Sequence, residues 1–243
     1  MKRIIKQIPN TITSMNLLCG ALGVIFTLYG RIDIAFYLML GGAVCDFCDG
    51  LVARLLGAYS ELGKQLDSLA DMVTFGVLPS MMLFKLMLQA GVEPAWICYI
   101  PLIISVFSAL RLAKFNIDER QSENFIGLAT PACAMICGSF AYYVCETPGS
   151  LLNVWTGSLW FIPAAAIILS LLLISEIPMF SMKFKKGAKG EGLIRTLRLT
   201  FFASIAVLAI VVLALGLNWS LIILLTFLAY ILLNLAALPF SQR

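Results

Sequence analysis

The sequence contains no histidine and few charged residues. Of its 243 residues, 12% are Asp, Glu, Lys or Arg, whereas 61% are hydrophobic. Without histidine, the chain lacks the commonest general base and the commonest transition-metal ligand of proteins. Any chemistry must therefore depend on carboxylates, Lys, Arg, Tyr or Cys.

The seven cysteines do not have the pattern of a disulfide framework. Their number is odd, and several lie inside apolar runs, where cysteine serves as a small buried side chain. Cys45 and Cys48 form a C-x-x-C, which leaves thiol chemistry or a zinc site as an alternative. A second such pair, or a histidine, is absent, so this alternative is the weaker one.

Long apolar runs recur along the chain at about the length that crosses a bilayer. They predict an all-α fold, a polytopic membrane bundle of about eight transmembrane helices. The predicted spans are about 13–30, 33–56, 64–89, 95–115, 127–145, 158–178, 199–216 and 219–238. The start of the chain leads into a full-length apolar run without a small-residue cleavage pattern, so we expect no cleaved signal peptide.

Basic residues predict the orientation of these spans. With eight spans, most of them fall on one side of the membrane, namely Lys2, Arg3, Lys6, Arg54, Lys64, Lys114, Arg120, Lys183, Lys185, Lys186, Lys189, Arg195, Arg198 and Arg243. By the positive-inside rule, both termini and the turn at 57–63 are cytoplasmic. The basic segment 183–198 is predicted to be a cytoplasmic loop that attracts anionic lipid rather than a nucleotide-binding arm, so no nucleic-acid partner is expected.

Four aspartates lie within the second and third apolar spans, where an ionised carboxylate is costly. Asp46 and Asp49 share one helical stripe with Gly50, Ala53 and Gly57. On the next helix, Gly63, Asp67 and Asp71 recur every four residues and form a second stripe. The antiparallel hairpin predicts that the four carboxylates gather near the cytoplasmic face.

Four like charges at such short range would repel by several kcal/mol unless cations neutralise them. Oxygen ligands suit hard divalent cations, so the pattern predicts a pair of Mg²⁺ or Mn²⁺ ions. Two alternatives remain open. Polar and small residues can simply pack transmembrane helices together, and carboxylates also line the paths of cation transporters.

The complete motif reads Asp46-x-x-Asp49-Gly50-x-x-Ala53-Arg54, eight residues, Gly63, three residues, Asp67, three residues, Asp71. It resembles the signature of the CDP-alcohol phosphotransferases at every defined position. The resemblance implies a dimeric membrane enzyme with a six-helix core that moves a phosphatidyl or similar group from a CDP-linked donor to an alcohol, releasing CMP. Two divalent cations would be used.

The resemblance also implies roles by position. Asp46, Asp49, Asp67 and Asp71 would bind the metal ions, and Asp71 would also be the catalytic base. The nucleotide would be bound by Asp49, Gly50, Ala53, Arg54 and Gly63.

Three further motifs resemble the membrane-integral phosphatidylserine synthases of that family. They are Pro9-Asn10-x-x-Thr13-x-x-Asn16, Arg111-Leu112-Ala113-Lys114-Phe115-Asn116 and Gly127-Leu128-Ala129-Thr130-Pro131. The implied substrates are CDP-diacylglycerol and L-serine. Departures at Lys114 and Ala129, where the family more often has Arg and Pro, leave glycerol 3-phosphate or an inositol phosphate as alternative acceptors.

Arg111 and Lys114 lie one turn apart near the cytoplasmic end of the fourth span. Both could hold the acceptor's carboxylate or phosphate, or both could extend to the membrane interface without binding it. The predicted domain organisation is a six-helix core at 1–182, the basic loop at 183–198 and two additional helices at 199–243.

Overall fold

The computed structural model describes residues 7–117, 125–179 and 191–241, and this part of the chain is almost entirely helical. In chain order the helices are α1 (Gln7–Leu28), α2 (Ile32–Leu56), α3 (Glu61–Asp71), a π-helical segment (Met72–Val77), α4 (Leu78–Gln89), a 3₁₀ segment (Ala95–Leu102), α5 (Ile103–Ile117), α6 (Thr130–Glu146), α7 (Leu151–Thr156), α8 (Phe161–Ile174), α9 (Glu191–Ala214) and α10 (Ser220–Ser241). Two short strands, β1 (Phe125–Ile126) and β2 (Pro178–Met179), pair antiparallel.

Within the described part of the chain, four helical stretches are long and apolar enough to cross a membrane, namely Gln7–Leu28, Ile32–Leu56, Glu61–Gln89 and Ala95–Ile117. Shorter apolar helices follow at Phe161–Ile174, Leu199–Ala214 and Ser220–Ala236. The prediction of an all-α membrane bundle is therefore confirmed, and every predicted span contains a helix.

Helix α6 lies in the centre of the bundle. Every side chain from Ala132 to Val144 is buried. The apolar run that predicts the fifth span is therefore covered by protein on all sides of the helix. Hydropathy alone does not separate such a core helix from a lipid-facing one.

A π-helical segment, Met72–Val77, begins immediately after Asp71. Pro79 has no backbone N–H, so it cannot donate to the carbonyl four residues earlier, and its ring disfavours a normal α-turn. The turn widens here, and the N–H of Leu78 donates to the carbonyl of Val73, five residues back. Such segments are frequent at functional sites because they rotate the residues that follow.

The chain between β1 and α6 crosses the end of α8 at close range. Gly127 and Leu128 donate backbone hydrogen bonds to the carbonyls of Ile177 and Leu172, each at 2.9 Å. Gly127 has a φ of +75°, and a Cβ there would lie 2.7 Å from the carbonyl oxygen of Ser175. These contacts satisfy backbone groups and end α8 at Ile174, before the predicted limit at residue 178.

Helix α9 begins at Glu191 rather than at residue 199, so the second half of the predicted basic loop is helical. The sequence explains the difference, because apolar Leu193, Ile194 and Leu197 recur at helical spacing in the stretch that also carries Arg195 and Arg198. Lys2, Arg3, Lys6, Arg120, the four predicted loop lysines at 183–189 and Arg243 lie outside the described residues.

Candidate active site

Helix α1 supplies buried polar side chains to the predicted carboxylate cluster. Thr13 and Asn16 lie on one face of α1 and are 3% and 0% exposed. The Thr13 hydroxyl donates to Asp49 Oδ2 at 2.5 Å, and Asn16 Nδ2 donates to Asp71 Oδ1 at 3.2 Å. One helix therefore orients a carboxylate on each side of the α2–α3 hairpin.

Small residues allow α1 to approach the hairpin closely enough for these bonds. A Cβ at Gly42 of α2 would lie 2.6 Å from Thr74 Cγ2 and 2.9 Å from Asn16 Oδ1. A Cβ at Gly20 of α1 would also collide with Thr74. The Thr74 hydroxyl in turn donates to the Asn16 carbonyl at 2.9 Å. These contacts fix the three segments at short range around Asn16.

Three of the four predicted metal ligands converge closely. Carboxylate oxygens of Asp46, Asp49 and Asp67 lie within 4.8 Å of one another. Asp71, which is 9% exposed and accepts from Asn16, lies within electrostatic range of Asp46 and Asp67. The sequence-predicted cluster is thus a close group of three with Asp71 beside it.

The residues of this group fit a hard divalent cation. Carboxylate and amide oxygens are the donor set that Mg²⁺ and Mn²⁺ prefer, and no nitrogen or sulfur donor is needed. Within the described residues, Asp67 Oδ1 and Asn16 Oδ1 are buried and have no hydrogen-bond partner. Buried oxygens of this kind ordinarily have a partner, so both are available to a cation or its waters.

A cavity of about 550 Å³ opens beside the carboxylates at the α2–α3 turn. It is lined by Pro9, Asn10, Thr13, Asp49, Gly50, Ala53, Ala58, Tyr59, Ser60, Glu61, Gly63, Lys64 and Asp67. The nearest atom to a Cβ at Gly50 would be Arg54 Nη2 at 3.7 Å, so protein packing alone does not require glycine there. The small side chain instead keeps the floor of the cavity open.

The predicted nucleotide residues take different positions around this cavity. Asp49, Gly50, Ala53 and Gly63 line it. Arg54 is exposed, is not among the lining residues, and donates through Nε to the Gly50 carbonyl at 3.0 Å. In this conformation the guanidinium is therefore held at the rim.

The two predicted acceptor-binding cations have different surroundings. Arg111 is 8% exposed and donates through Nη1 to Thr130 Oγ1 at 2.9 Å, while its Nε has no hydrogen-bond partner within the described residues. Asp71 lies within electrostatic range of its guanidinium. Lys114 instead faces Glu176, with Nζ at 3.7 Å from the carboxylate. The structure brings Arg111 toward the carboxylates and pairs Lys114 with the chain that follows α8.

Two side chains connect α3 to the end of α5 beside the cavity. The Lys64 ammonium donates to the Asn116 carbonyl at 3.1 Å, and the Asn116 amide donates to Ser68 Oγ at 2.9 Å. Both bonds place the last turn of α5 against the helix that carries Asp67. Asn116 thus has a structural partner on α3.

Sequence reasoning assigns no role to Thr13, Asn16 or Thr130, although all three lie in motifs that it singles out. A usable signal is present for the first two, because they are polar residues three apart within an apolar helix. Nothing in the sequence pairs them with particular aspartates. That pairing depends on how α1 packs against the hairpin.

The close packing at Gly42 leads to a stability prediction. Gly42→Ala is expected to lower the melting temperature of the detergent-solubilised protein, because overpacking of this kind costs about 1–3 kcal/mol. Gly41→Ala is the matched control, since a Cβ there would meet Cys19 Sγ at an ordinary 3.8 Å. Both variants gain the same helix propensity. Equal melting temperatures for the two would contradict the proposed close approach.

Comparison with known proteins identifies the family. Residues 6–173 match the CDP-alcohol phosphatidyltransferase family. The CDP-diacylglycerol–serine O-phosphatidyltransferase of Bacillus subtilis is 40% identical over 137 residues, which are 56% of this chain and 76% of that protein. The protein of the same name from Mycobacterium leprae is 33% identical over 210 residues, 83% of this chain and 67% of that protein.

An archaeal relative is named for a different activity. The archaetidylserine synthase of Methanothermobacter thermautotrophicus is 33% identical over 137 residues, 55% of this chain and 57% of that protein. The family match covers α1 to α8 almost entirely and includes every residue of the aspartate motif. The resemblance carried by Asp46 to Asp71 is confirmed, and this chain belongs to the CDP-alcohol phosphatidyltransferase family.

Proposed function

We propose that this protein transfers a phosphatidyl group from CDP-diacylglycerol to L-serine, giving phosphatidylserine and CMP. The observation that carries the proposal is the group of three carboxylates, Asp46, Asp49 and Asp67, within 4.8 Å beside an open cavity of about 550 Å³. The names of the bacterial relatives, CDP-diacylglycerol–serine O-phosphatidyltransferases, support serine as the acceptor.

Asp46, Asp49, Asp67 and Asp71 are proposed to hold two divalent cations, Mg²⁺ or Mn²⁺. When bound, the cations supply charge neutralisation to the pyrophosphate and to the departing CMP. Thr13 and Asn16 keep two of these carboxylates in place through their hydrogen bonds. Asp49 and Asp71 are therefore held in a fixed orientation, which lowers the entropic cost of assembling the site.

The cavity is proposed to bind the cytidine nucleotide. Gly50, Ala53 and Gly63 present little more than backbone to it, so a nucleotide can approach α2 and α3 closely. Asp49 lines the same cavity and links the nucleotide position to the carboxylate group. Arg54 lies at the rim, where its charge can meet the donor's phosphates after a rotamer change.

Asp71 is the proposed base. In the transfer step it takes the proton of the serine hydroxyl, the serine oxygen forms a bond to the phosphorus of the phosphatidyl group, and the bond from that phosphorus to the CMP oxygen breaks. Asn16 donates to Asp71 Oδ1, which holds the carboxylate toward the other aspartates. A carboxylate in such a position can act as a general base without histidine.

Arg111 is proposed to bind the serine carboxylate, with a lesser contribution from Lys114. The Arg111 guanidinium is buried, lies within electrostatic range of Asp71 and has an unpartnered Nε among the described residues. Of the two cations proposed for the acceptor, only Arg111 lacks an ion-pair partner within the described residues, and a single guanidinium suits the single charge of a carboxylate better than the double charge of a phosphate. Lys114 has Glu176 as an ion-pair partner, which reduces the charge that it can offer.

Arg111→Ala is expected to raise the KM for serine about tenfold or more, because a charge-assisted contact contributes about 1.5–3 kcal/mol. The KM for CDP-diacylglycerol should change much less. Lys114→Ala is the comparison variant and should have the smaller effect. Steady-state kinetics with each substrate varied in turn checks this. An unchanged serine KM in both variants would indicate that the two side chains merely extend to the interface.

The site and both termini are proposed to face the cytoplasm. Arg54, Lys64 and Lys114 lie at the helix ends near the aspartates, whereas Arg31, at the opposite end of α2, is paired with Asp33 at 2.8 Å. This distribution supports a positive-inside orientation. Homodimerisation stays a prediction, which the mass of the detergent-solubilised protein tests.

An acceptor screen tests the proposed reaction. The purified protein is supplied with CDP-diacylglycerol, Mg²⁺ or Mn²⁺, and one acceptor at a time, and CMP release is measured. L-serine should give the highest kcat/KM. Faster release with glycerol 3-phosphate or an inositol phosphate would overturn the serine assignment while leaving the family chemistry in place.

A further inference from the structure

Helix α10 lies outside the region that matches the family, yet it packs along the central helix α6. At one end, the Trp219 ring lies 5.5 Å from the Tyr142 ring of α6 and 5.8 Å from the Phe36 ring of α2, measured between centroids. The Tyr142 hydroxyl also shares a 2.9 Å hydrogen bond with Tyr37 of α2. This aromatic group fixes the start of α10 beside the C-terminal end of α6.

The direction of α10 then determines which part of α6 lies beside Tyr230. Tyr142 precedes the end of α6, whereas Thr130 begins it, so the two lie about 18 Å apart at 1.5 Å per residue. Running antiparallel from Trp219, α10 covers nearly the same distance by Tyr230. Tyr230 therefore lies at the level of Thr130, and the neighbouring Ile231 is buried.

Thr130 is the residue that holds Arg111. The titratable groups within electrostatic range of the Arg111 guanidinium are Asp71, Cys133 and Tyr230. Cys133 lies one turn beyond Thr130 on the same face of α6. The buried guanidinium thus lies against α6, with Tyr230 of α10 and Asp71 at the end of α3 within electrostatic range.

We propose that Tyr230 is a positioning residue for the acceptor side of the site, holding the Arg111 guanidinium together with Thr130 so that its remaining N–H groups face the acceptor carboxylate. The proposal deepens the proposed function and rests on it. It also gives a role in acceptor binding to α10, a helix that lies beyond the end of the family match at residue 173.

A tyrosine suits this position for a physical reason. A guanidinium carries five N–H donors in a rigid fork, and Thr130 accepts from one of its nitrogens. A phenol oxygen can accept another donor without carrying a charge, so it orients Arg111 and leaves the positive charge for the ligand. A carboxylate at the same place would form an ion pair and compete with the acceptor.

The test is Tyr230→Phe in the full-length protein. The ring is retained, so its contact with Phe201, 5.8 Å between centroids, is preserved. The serine KM should rise about threefold to tenfold, the range expected for the loss of one hydrogen bond to a charged group. The kcat and the KM for CDP-diacylglycerol should stay unchanged. A lower kcat and a lower melting temperature with an unchanged serine KM would overturn the proposal, since this result indicates a structural role alone.

Tyr142→Phe is the matched control. It removes the hydroxyl that bonds Tyr37 of α2, and it keeps the ring that contacts Trp219 at the end of α10 far from Arg111. It should leave the serine KM unchanged, and a KM rise equal to that of Tyr230→Phe would mean that loosened docking of α10 explains both effects.

A double variant shows whether Tyr230 acts through Arg111. Adding Tyr230→Phe to Arg111→Lys, which lacks the guanidinium fork, should raise the serine KM no further. Full additivity would overturn the proposal. The acceptor screen on the wild type keeps the two questions separate. If another acceptor is preferred, the serine assignment fails, whereas a Tyr230-dependent KM for that acceptor still supports the positioning role.

Discussion

Asp71→Asn is expected to lower turnover by at least about 10²-fold, because it removes the proposed basic site while keeping the size of the side chain and one oxygen ligand. CDP-lipid affinity should fall much less than turnover. The structure sets Asp71 apart from the group of Asp46, Asp49 and Asp67, and Asn16 is its hydrogen-bond donor. Turnover and equilibrium binding of CDP-diacylglycerol, measured on the same preparation, check this.

Asp46→Asn and Asp67→Asn are the comparison variants. Each removes a charged oxygen from the close group, so metal and CDP-lipid binding should both weaken. Raised metal concentration should recover part of their activity but not that of Asp71→Asn. Recovery of Asp71→Asn to the same degree would show that Asp71 is a metal ligand like the others, and that the base is a different residue.

Removal of divalent cations is expected to lower activity by at least about 10³-fold, because several kcal/mol of charge stabilisation would be lost. The carboxylates of the cluster would repel one another, and a pyrophosphate would meet them unneutralised. A chelator followed by turnover assays measures this effect. Restored activity on adding Mg²⁺ or Mn²⁺ is the control against irreversible unfolding.

Full activity in the cation-free enzyme would contradict the role proposed for the aspartates. A melting temperature measured with and without the chelator separates loss of fold from loss of chemistry. If activity disappears while the melting temperature changes little, the cations serve the reaction more than the fold.

The carboxylate group could be predicted from helical spacing alone. Asp46 and Asp49 share one stripe, Asp67 follows on the next helix, and a hairpin brings the two stripes together. The distinct position of Asp71 could not be read in this way. It depends on Asn16, which α1 places there after packing against Gly42 and Thr74. Spacing within two helices carries no information about the docking of a third.

Hydropathy also predicts the membrane fold, but it does not predict which helix is buried inside the bundle. The apolar run that became α6 resembles the other spans, although the structure covers every side chain from Ala132 to Val144. The charged residues of 183–198 predict a loop, whereas α9 begins at Glu191, because an amphipathic helix can also carry charged residues. Which neighbour covers a helix is a tertiary property.

Arg111 and Lys114 have different partners for the same reason, namely tertiary packing. Their one-turn spacing predicted a shared pocket, but Thr130 and Glu176 come from segments that the spacing does not include. The proposed contact of Tyr230 with Arg111 is a further case, because the level of Tyr230 along α6 depends on the register that Trp219 sets near Tyr142. Long-range packing therefore decides the surroundings of the two residues that we propose to bind the acceptor.

The most direct test of the central claim is the stoichiometry of the reaction in proteoliposomes. The protein is supplied with CDP-diacylglycerol, isotopically labelled serine and Mg²⁺ or Mn²⁺, and phosphatidylserine and CMP are quantified together. The account predicts equal amounts of both products, with formation dependent on the divalent cation and on Asp71. Cation flux across the vesicle membrane without CMP release would contradict it and would favour a carboxylate-lined transporter.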